Sequence, residues 1–160
     1  MRVKDIIAED FVNYRLPSMF IASAFCNWKC CKEQNLPVET CQNSTLAASP
    51  IRSVDDREIL KAFQNNDITK AVVIGGLEPF DQTAELVGLI DTFRSAGEDC
   101  TFVIYTGYTP EELGAVIDLL RSYDYIIIKF GRYRPGDAPH IDPILGVPLA
   151  SNNQFAARIF

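Results

Sequence analysis

No apolar run in this sequence reaches the roughly 20 residues that a membrane-spanning helix needs. The opening residues, Met1-Arg2-Val3-Lys4-Asp5, lack the apolar core of a secretory signal. Basic side chains are outnumbered, 15 Lys and Arg against 21 Asp and Glu, for a formal charge of −6. That balance argues against a broad nucleic-acid face, which needs clustered Lys and Arg. A local basic patch is left around Lys129, Arg132 and Arg134. Internal repeats and low-complexity tracts are missing. Histidine is reduced to one residue, His140, in a loop with Pro135, Pro139 and Pro143, where a solvated side chain is expected. A disulfide framework fits poorly with five cysteines, an odd number. These absences lead us to expect a cytoplasmic protein in a reducing compartment, with neither membrane nor nucleic acid among its partners.

What is present is an ordinary globular composition, 48% hydrophobic and 22% charged over 160 residues. One domain spanning 1–160 is expected, able to bury roughly two thirds of the surface its unfolded chain exposes. It therefore needs no metal merely to fold. Yet Cys26, Cys30, Cys31 and Cys41 fall within sixteen positions, directly after the strand-like run Met19 to Phe25. In a reducing compartment such clustering points to metal or redox chemistry. Cys26, Cys30 and Cys41 are the candidate ligands. Three thiolates on an iron–sulfur cube would leave one iron open, as a catalytic centre needs. A structural zinc with Cys31 as fourth thiolate is the other reading, although adjacent Cys30 and Cys31 tend to diverge. Lys29 and Lys32 can offset thiolate charge or simply be solvated. Trp28 reads as a lid packed over this loop, and Cys100, just before a buried run, as a core or edge thiol.

The rest of the chain is periodic. Residues 1–17 read as a short strand or an irregular cap, and Ser18 to Ala24 as the first clear strand. The segment from Cys26 to Pro50 is long for a loop, and long loops are commonly functional. Ser53 is placed to cap a helix running to about Gln64. Thr69 to Gly75, Thr101 to Thr106 and Asp124 to Phe130 are continuous apolar runs of the kind found in buried parallel strands. Between them, a helix capped by Asp81 and stopped by Gly97 and a helix opened by the capping box Thr109-Pro110-Glu111-Glu112 are expected. A further short strand is expected near Val147 to Ala150. Strands alternating with helices predict an α/β fold, a partial (β/α) barrel of mostly parallel strands with right-handed crossovers. Ligands gather at the carboxyl ends of such strands. That rule selects Cys26, the segment Gly75-Gly76-Leu77-Glu78-Pro79, the segment Tyr105-Thr106-Gly107-Tyr108, and Lys129-Phe130-Gly131-Arg132, all on one rim. Gly75 and Gly76 would let backbone approach a ligand. Pro79 keeps Glu78 extended, where its carboxylate can accept from an ammonium group.

Taken together, CNWKC…CQN followed by GGLEP resembles the radical S-adenosylmethionine proteins, and more closely the small activating proteins of anaerobic ribonucleotide reductase. The resemblance covers nearly the whole chain. Residues 105–109 (YTGYT) are similar to that family's WTGYT segment, Gly131-Arg132-Tyr133 to its DGRF segment, and Ala150-Ser151-Asn152-Asn153-Gln154 to its closing GSxNQ. The family spaces its cysteines CxxxCxxC. Here the last cysteine follows after ten residues instead of two, with Thr40 in place of an aromatic, and Leu77 interrupts the GGEP segment. A loop can grow by this much at small entropic cost.

The resemblance implies a [4Fe–4S] cluster on Cys26, Cys30 and Cys41, with S-adenosyl-L-methionine as second cofactor. Gly75, Gly76, Glu78 and Pro79 match the segment that holds the methionine amino group. Thr106 and Gly107 would flank the cofactor, and Lys129 can pair with its carboxylate. The implied activity is reductive cleavage of S-adenosylmethionine to a 5′-deoxyadenosyl radical that installs a glycyl radical on a large partner, an anaerobic ribonucleotide reductase or another glycyl-radical enzyme. Electrons would come from an external donor such as flavodoxin. The rival function is a non-catalytic [4Fe–4S] or zinc module on the same scaffold.

Overall fold

A computed structural model describes residues 1–159. Strand β1 (Arg2–Asp10) turns back antiparallel on β2 (Ser18–Ser23), with Ile6 opposite Ile21. The lead-in of mixed residues is thus a nine-residue strand. From β2 the sheet grows by parallel addition: β4 (Ala71–Gly76), β5 (Thr101–Tyr105) and β6 (Ile126–Phe130) follow in sequence order. The outer strands are antiparallel, β3 (Arg52–Ser53) beside β1 and β9 (Phe155–Arg158) beside β6. The order β3-β1-β2-β4-β5-β6-β9 ends on two different strands, so this seven-stranded sheet is open. The expected mostly parallel α/β arrangement is present, and barrel closure is not. Strand β9 carries no alternating pattern and was not foreseen; its register on β6 places Ala157 opposite Ile128.

Three helices cover one face: α3 (Asp56–Gln64), α4 (Thr83–Ser95) and α5 (Pro110–Leu120). The strand period of two decides what they meet. Val72 and Ile74, Phe102 and Ile104, Ile126 and Ile128 pack with Ile59, Phe63, Leu86, Leu89, Ile90, Phe93, Leu113 and Leu120. Phe93 stands edge-on to Phe102, ring centroids 5.1 Å apart. The alternate residues Ala71, Val73, Val103 and Ile127 form a smaller core on the other face with Tyr14, Leu145, Val147 and Leu149. There the hairpin β7 (His140–Ile141) and β8 (Pro148–Leu149) lies. His140, expected in solvent, is half-buried in β7, its Nδ1 buried without a hydrogen-bond partner among the described residues.

Two expected caps are corrected. Ser53 pairs in β3 opposite Arg2, and Asp55 caps α3 by accepting from the Arg57 N–H at 2.8 Å. Asp81 does not cap α4. Pro79 opens a 3₁₀ turn, Pro79–Gln82, which Glu78 caps by accepting from the Phe80 N–H at 3.1 Å. The capping box at Thr109 and Glu112 is formed, and Gly97 ends the α4 turn with φ of 75°. The long cysteine segment is built of short pieces: α1 (Lys29–Glu33), a 3₁₀ turn at Val38–Thr40, and α2 (Ser44–Ala47).

Candidate metal and cofactor site

The face opposite the helices carries, next along each strand, Phe20, Gly75, Tyr105 and Lys129. Burial on this face leaves a cavity of about 350 Å³ at the carboxyl ends of the parallel strands. Cys26, Cys30 and Cys41 all line it, with Gly76, Glu78, Thr106, Gly107 and Lys129. Eight of the ten side chains or backbones singled out from the sequence therefore share one cavity. Gly75 and Pro79 do not line it. A Cβ on Gly75 would meet the Cβ of Tyr105 at 3.1 Å and the Phe20 ring at 3.5 Å, so this glycine makes room for the cavity's own wall. Pro79 is buried at the start of its 3₁₀ turn.

Burial raises all three thiols. Cys26 is pushed up to about 12, opposed by the Trp28 N–H, which donates to its Sγ at 3.3 Å. Burial and then the neighbouring Cys31 raise Cys30, and burial raises Cys41 against the Asn43 N–H. Negative charge on Cys30 would raise both Cys26 and Cys41, which places Cys30 within electrostatic reach of each. The fourth thiol is set deeper: Cys31 is 5% exposed and does not line the cavity, although it stays close enough to the Cys30 thiol to raise it. Among the described residues, no three Cys, His, Asp or Glu side chains stand close enough to hold a single metal ion. The donor set is soft thiolate on a roomy cavity wall, and that chemistry fits an iron–sulfur cluster.

Glu78 is 7% exposed and already engaged. Its Oε1 accepts from the Thr106 hydroxyl at 2.7 Å and its Oε2 from the Gly107 N–H at 2.9 Å, in addition to the Phe80 N–H. Burial nevertheless raises it to about 7, the hydrogen bonds opposing. The carboxylate expected to accept from an ammonium group thus also ties the β4 rim to the β5 rim. Lys129 is the complementary case. Burial pushes it down to about 8, opposed by Glu78. Its Nζ donates to the Gly131 carbonyl at 3.0 Å, one acceptor for a group with three donors. The Gly131 carbonyl also accepts from Gln154 at 3.2 Å, and Asn153 donates to the Arg132 carbonyl at 3.0 Å. The closing segment thus braces the loop after β6.

Several residues that hold the cysteine segment were not foreseen. Asp81 accepts from the Asn27 N–H at 2.7 Å and from the Tyr108 hydroxyl at 2.7 Å. Lys29 pairs with Glu112 and with Glu33, and its Nζ lies 5.5 Å from the centre of the Tyr108 ring. It therefore serves carboxylates rather than thiolates. Glu112 was visible as a capping residue, but nothing in the sequence marked its second partner, Arg132. Val12 and Asn13, at the turn between β1 and β2, line the cavity without any sequence signal.

Comparison with curated proteins and with solved structures gives no match. The family model described as a 4Fe-4S single cluster domain matches residues 18–140, from the first strand of the parallel set to the edge of the small hairpin. That match spans well over half the chain and takes in the whole cysteine segment and all four strand ends, and the protein belongs to the 4Fe-4S single cluster domain family.

Proposed function

We propose that this iron–sulfur protein is a radical S-adenosylmethionine enzyme of the glycyl-radical-activating type. One observation carries the reading: three thiols open on the same cavity as a buried, incompletely satisfied lysine and a polar rim drawn from three strand ends. Cys26, Cys30 and Cys41 would hold the [4Fe–4S] cluster. Once reduced by an outside donor such as flavodoxin, the bound cluster would supply one electron for cleavage of S-adenosylmethionine to methionine and a 5′-deoxyadenosyl radical able to take a hydrogen atom from a partner's glycine.

The chain's own residues bind and shield. Lys129 brings positive charge to the cavity floor, where a carboxylate of the cofactor would complete its donors. Gly76, with φ of 78°, presents backbone to the cavity, and the space its missing Cβ leaves is taken by Leu46. Glu78 holds Thr106 and Gly107 in place, so the β5 rim reaches the cofactor already ordered. The hairpin turn at Val12 and Asn13 and the loop at Tyr133 close the sides. A large protein substrate docked over the remaining opening would exclude water from the reacting atoms.

The test is direct. Protein purified without oxygen is reconstituted with iron and sulfide, then reduced in the presence of S-adenosylmethionine. The expected result is about four irons per chain, the stoichiometry of a single cubane, and release of methionine with 5′-deoxyadenosine. Tight zinc without an iron chromophore, or a cluster that never cleaves S-adenosylmethionine, would replace the enzyme by a non-catalytic module.

A further inference from the structure

Four charged side chains grip the short helix that carries Cys30. Helix α1 bears Lys29 at its start and Glu33 one turn later, on either side of Cys30 and Cys31. Lys29 pairs with Glu112 at the start of α5. Glu33 accepts from Arg132 at 3.0 Å. Arg132 in turn donates to both oxygens of Glu112, at 2.8 and 2.6 Å, and to the Gly107 carbonyl at 3.0 Å. Its side chain is only 12% exposed, although it lies in the loop that follows β6. The Arg132 hydrogen bonds hold Glu112 far below the usual carboxylate range. Arg132 therefore lies at the centre of a closed circuit, Lys29–Glu112–Arg132–Glu33, with a fourth contact to the backbone of the cavity rim.

An isolated surface ion pair contributes little, but forked arginine contacts within a network fix geometry. No helix as short as α1, five residues, is stable by itself. Its own backbone gives it few bonds, and Trp28 enters it in a left-handed conformation with φ of 60° and no side-chain cap. What keeps this turn in place is outside it. Gln34 adds one more tie, donating from Nε2 to the Cys30 carbonyl and to the Tyr133 carbonyl, both at 2.9 Å. Tyr133 is the residue after Arg132, so both ties end on the loop that follows β6.

We infer that Arg132 and Glu112 are positioning residues for Cys30. They clamp α1 so that the Cys30 sulfur faces the cavity, and through Gly107 they couple the cysteine segment to the rim that Glu78 holds. This rests on the reading of Cys30 as a cluster ligand, but its test does not depend on cluster uptake.

The test measures alkylation of each cysteine separately, by mass spectrometry, in the cluster-free protein treated with a limiting amount of N-ethylmaleimide. Cys41 serves as internal reference because no ion pair or hydrogen bond of the circuit reaches residues 35–43. In Arg132→Gln the ratio of Cys30 to Cys41 labelling rises roughly fivefold, the scale expected when a small ion network is cut. Arg132→Lys keeps the charge but loses the fork, and falls between. Arg121→Gln removes an equal charge from the Arg121–Asp118 pair elsewhere on the surface and leaves the ratio unchanged. Salt at about 1 M, where screening reaches only ~3 Å, moves the wild-type ratio toward that of Arg132→Gln. A ratio unchanged in Arg132→Gln, or equal acceleration at Cys30 and Cys41, overturns the assignment. A wild-type chain that takes up no iron would instead overturn the proposed function and leave the labelling result standing.

Discussion

The two halves of the cysteine segment are held in opposite ways. From Asn27 to Gln34, side chains reach the scaffold at nearly every turn: Asn27 to Asp81, Lys29 to Glu112, Glu33 to Arg132, Gln34 to Tyr133. From Asn35 to Asn43, no side chain among the described residues bonds outward, and the backbone bonds are local: Asn35 and Leu36 donate back to the carbonyls of Lys32 and Cys31, and Thr40 and Cys41 to those of Pro37 and Val38. The first half carries Cys30, four positions after Cys26, and the second carries Cys41 at the end of a ten-residue excursion. A fixed pair of sulfurs with a third on a free limb is a different design from three sulfurs on one tight loop. Fixed geometry is supplied where spacing is short, and reach is supplied by chain length where it is long.

The sharpest way to break this comparison is to remove the sulfurs one at a time. Cys26→Ala, Cys30→Ala and Cys41→Ala are each expected to abolish the iron chromophore after reconstitution. Cys31→Ala is expected to keep it, since Cys31 is buried and does not line the cavity. A chromophore that survives Cys41→Ala but not Cys31→Ala would move the third ligand into the anchored half.

Next in size is the effect of lengthening each half. Two glycines inserted between Leu36 and Pro37 lengthen the free limb, whose closure cost rises by only a few tenths of a kcal/mol. Iron content is expected to stay near that of the wild type. The same two glycines between Trp28 and Lys29 would rotate α1 out of its ion circuit and displace Cys30, and iron content is expected to fall severalfold, read by absorbance and iron assay. Equal losses from the two insertions would show that the limb is as fixed as the helix.

The anchored half also rests on a titrating floor. Glu78 has an ordinary value of 4.5 and is raised to about 7 by burial. Between those values the folded chain holds a proton that the unfolded chain has lost, so stability falls as pH rises from about 5 to about 7.5. The full change is on the order of 3 kcal/mol. Cys26, Cys30, Cys41 and Lys129 titrate above this window, and the lowered carboxylates Glu85 and Glu112 below it. Urea midpoints of the cluster-free protein at pH 5.5 and 7.5 measure the slope, and Glu78→Gln is expected to flatten it. Hydrogen exchange at Gly107 should follow the same pH dependence, and exchange at Thr40 should not.

The central sheet and its helices were legible because buried parallel strands and amphipathic helices write long signals. Val72–Ile74, Ile104 and Ile126–Ile128 declare themselves by composition, and Thr109 to Glu112 by cap chemistry. The misses are short or shared. Strand β9 is four residues whose pairing is decided by β6, and β3 has only two. Ser53 and Asp55 are both sound caps, and pairing of β3 on β1 settled the choice. Asp81 and Glu112 each offered a local role in sequence, while their distant partners, Asn27 with Tyr108 and Lys29 with Arg132, exist only in the fold. The site's cysteines were legible by density, and Gly76, Glu78, Thr106 and Lys129 by their place at strand ends. The role of Gly75 was not, because face alternation turns it toward Tyr105.

The smallest expected effect concerns where the free limb finally attaches. Lys4 on β1 donates through Nζ to the Ala47 carbonyl at 2.7 Å and to the Ser49 carbonyl, so it holds the carboxyl end of α2. A cation at a helix carboxyl end is favourable, and a charged hydrogen bond to a half-buried carbonyl contributes about 1 kcal/mol. Beside it, Leu46 packs where Gly76 has no side chain; a Cβ there would stand 2.8 Å from the Leu46 Cδ2. These two contacts are downstream of Cys41; upstream, the limb is tied only at its root, where the Leu36 N–H donates to the Cys31 carbonyl at 2.9 Å. Lys4→Met should therefore speed hydrogen exchange across Ser44–Ser49 and raise Cys41 alkylation about twofold, a factor matching the partial loss of one such bond. The Cys30 rate should hold, because its helix is tied to the opposite side of the cavity. If Cys30 and Cys41 accelerate together in Lys4→Met, the limb and the anchored helix move as one body, and the distinction between them fails.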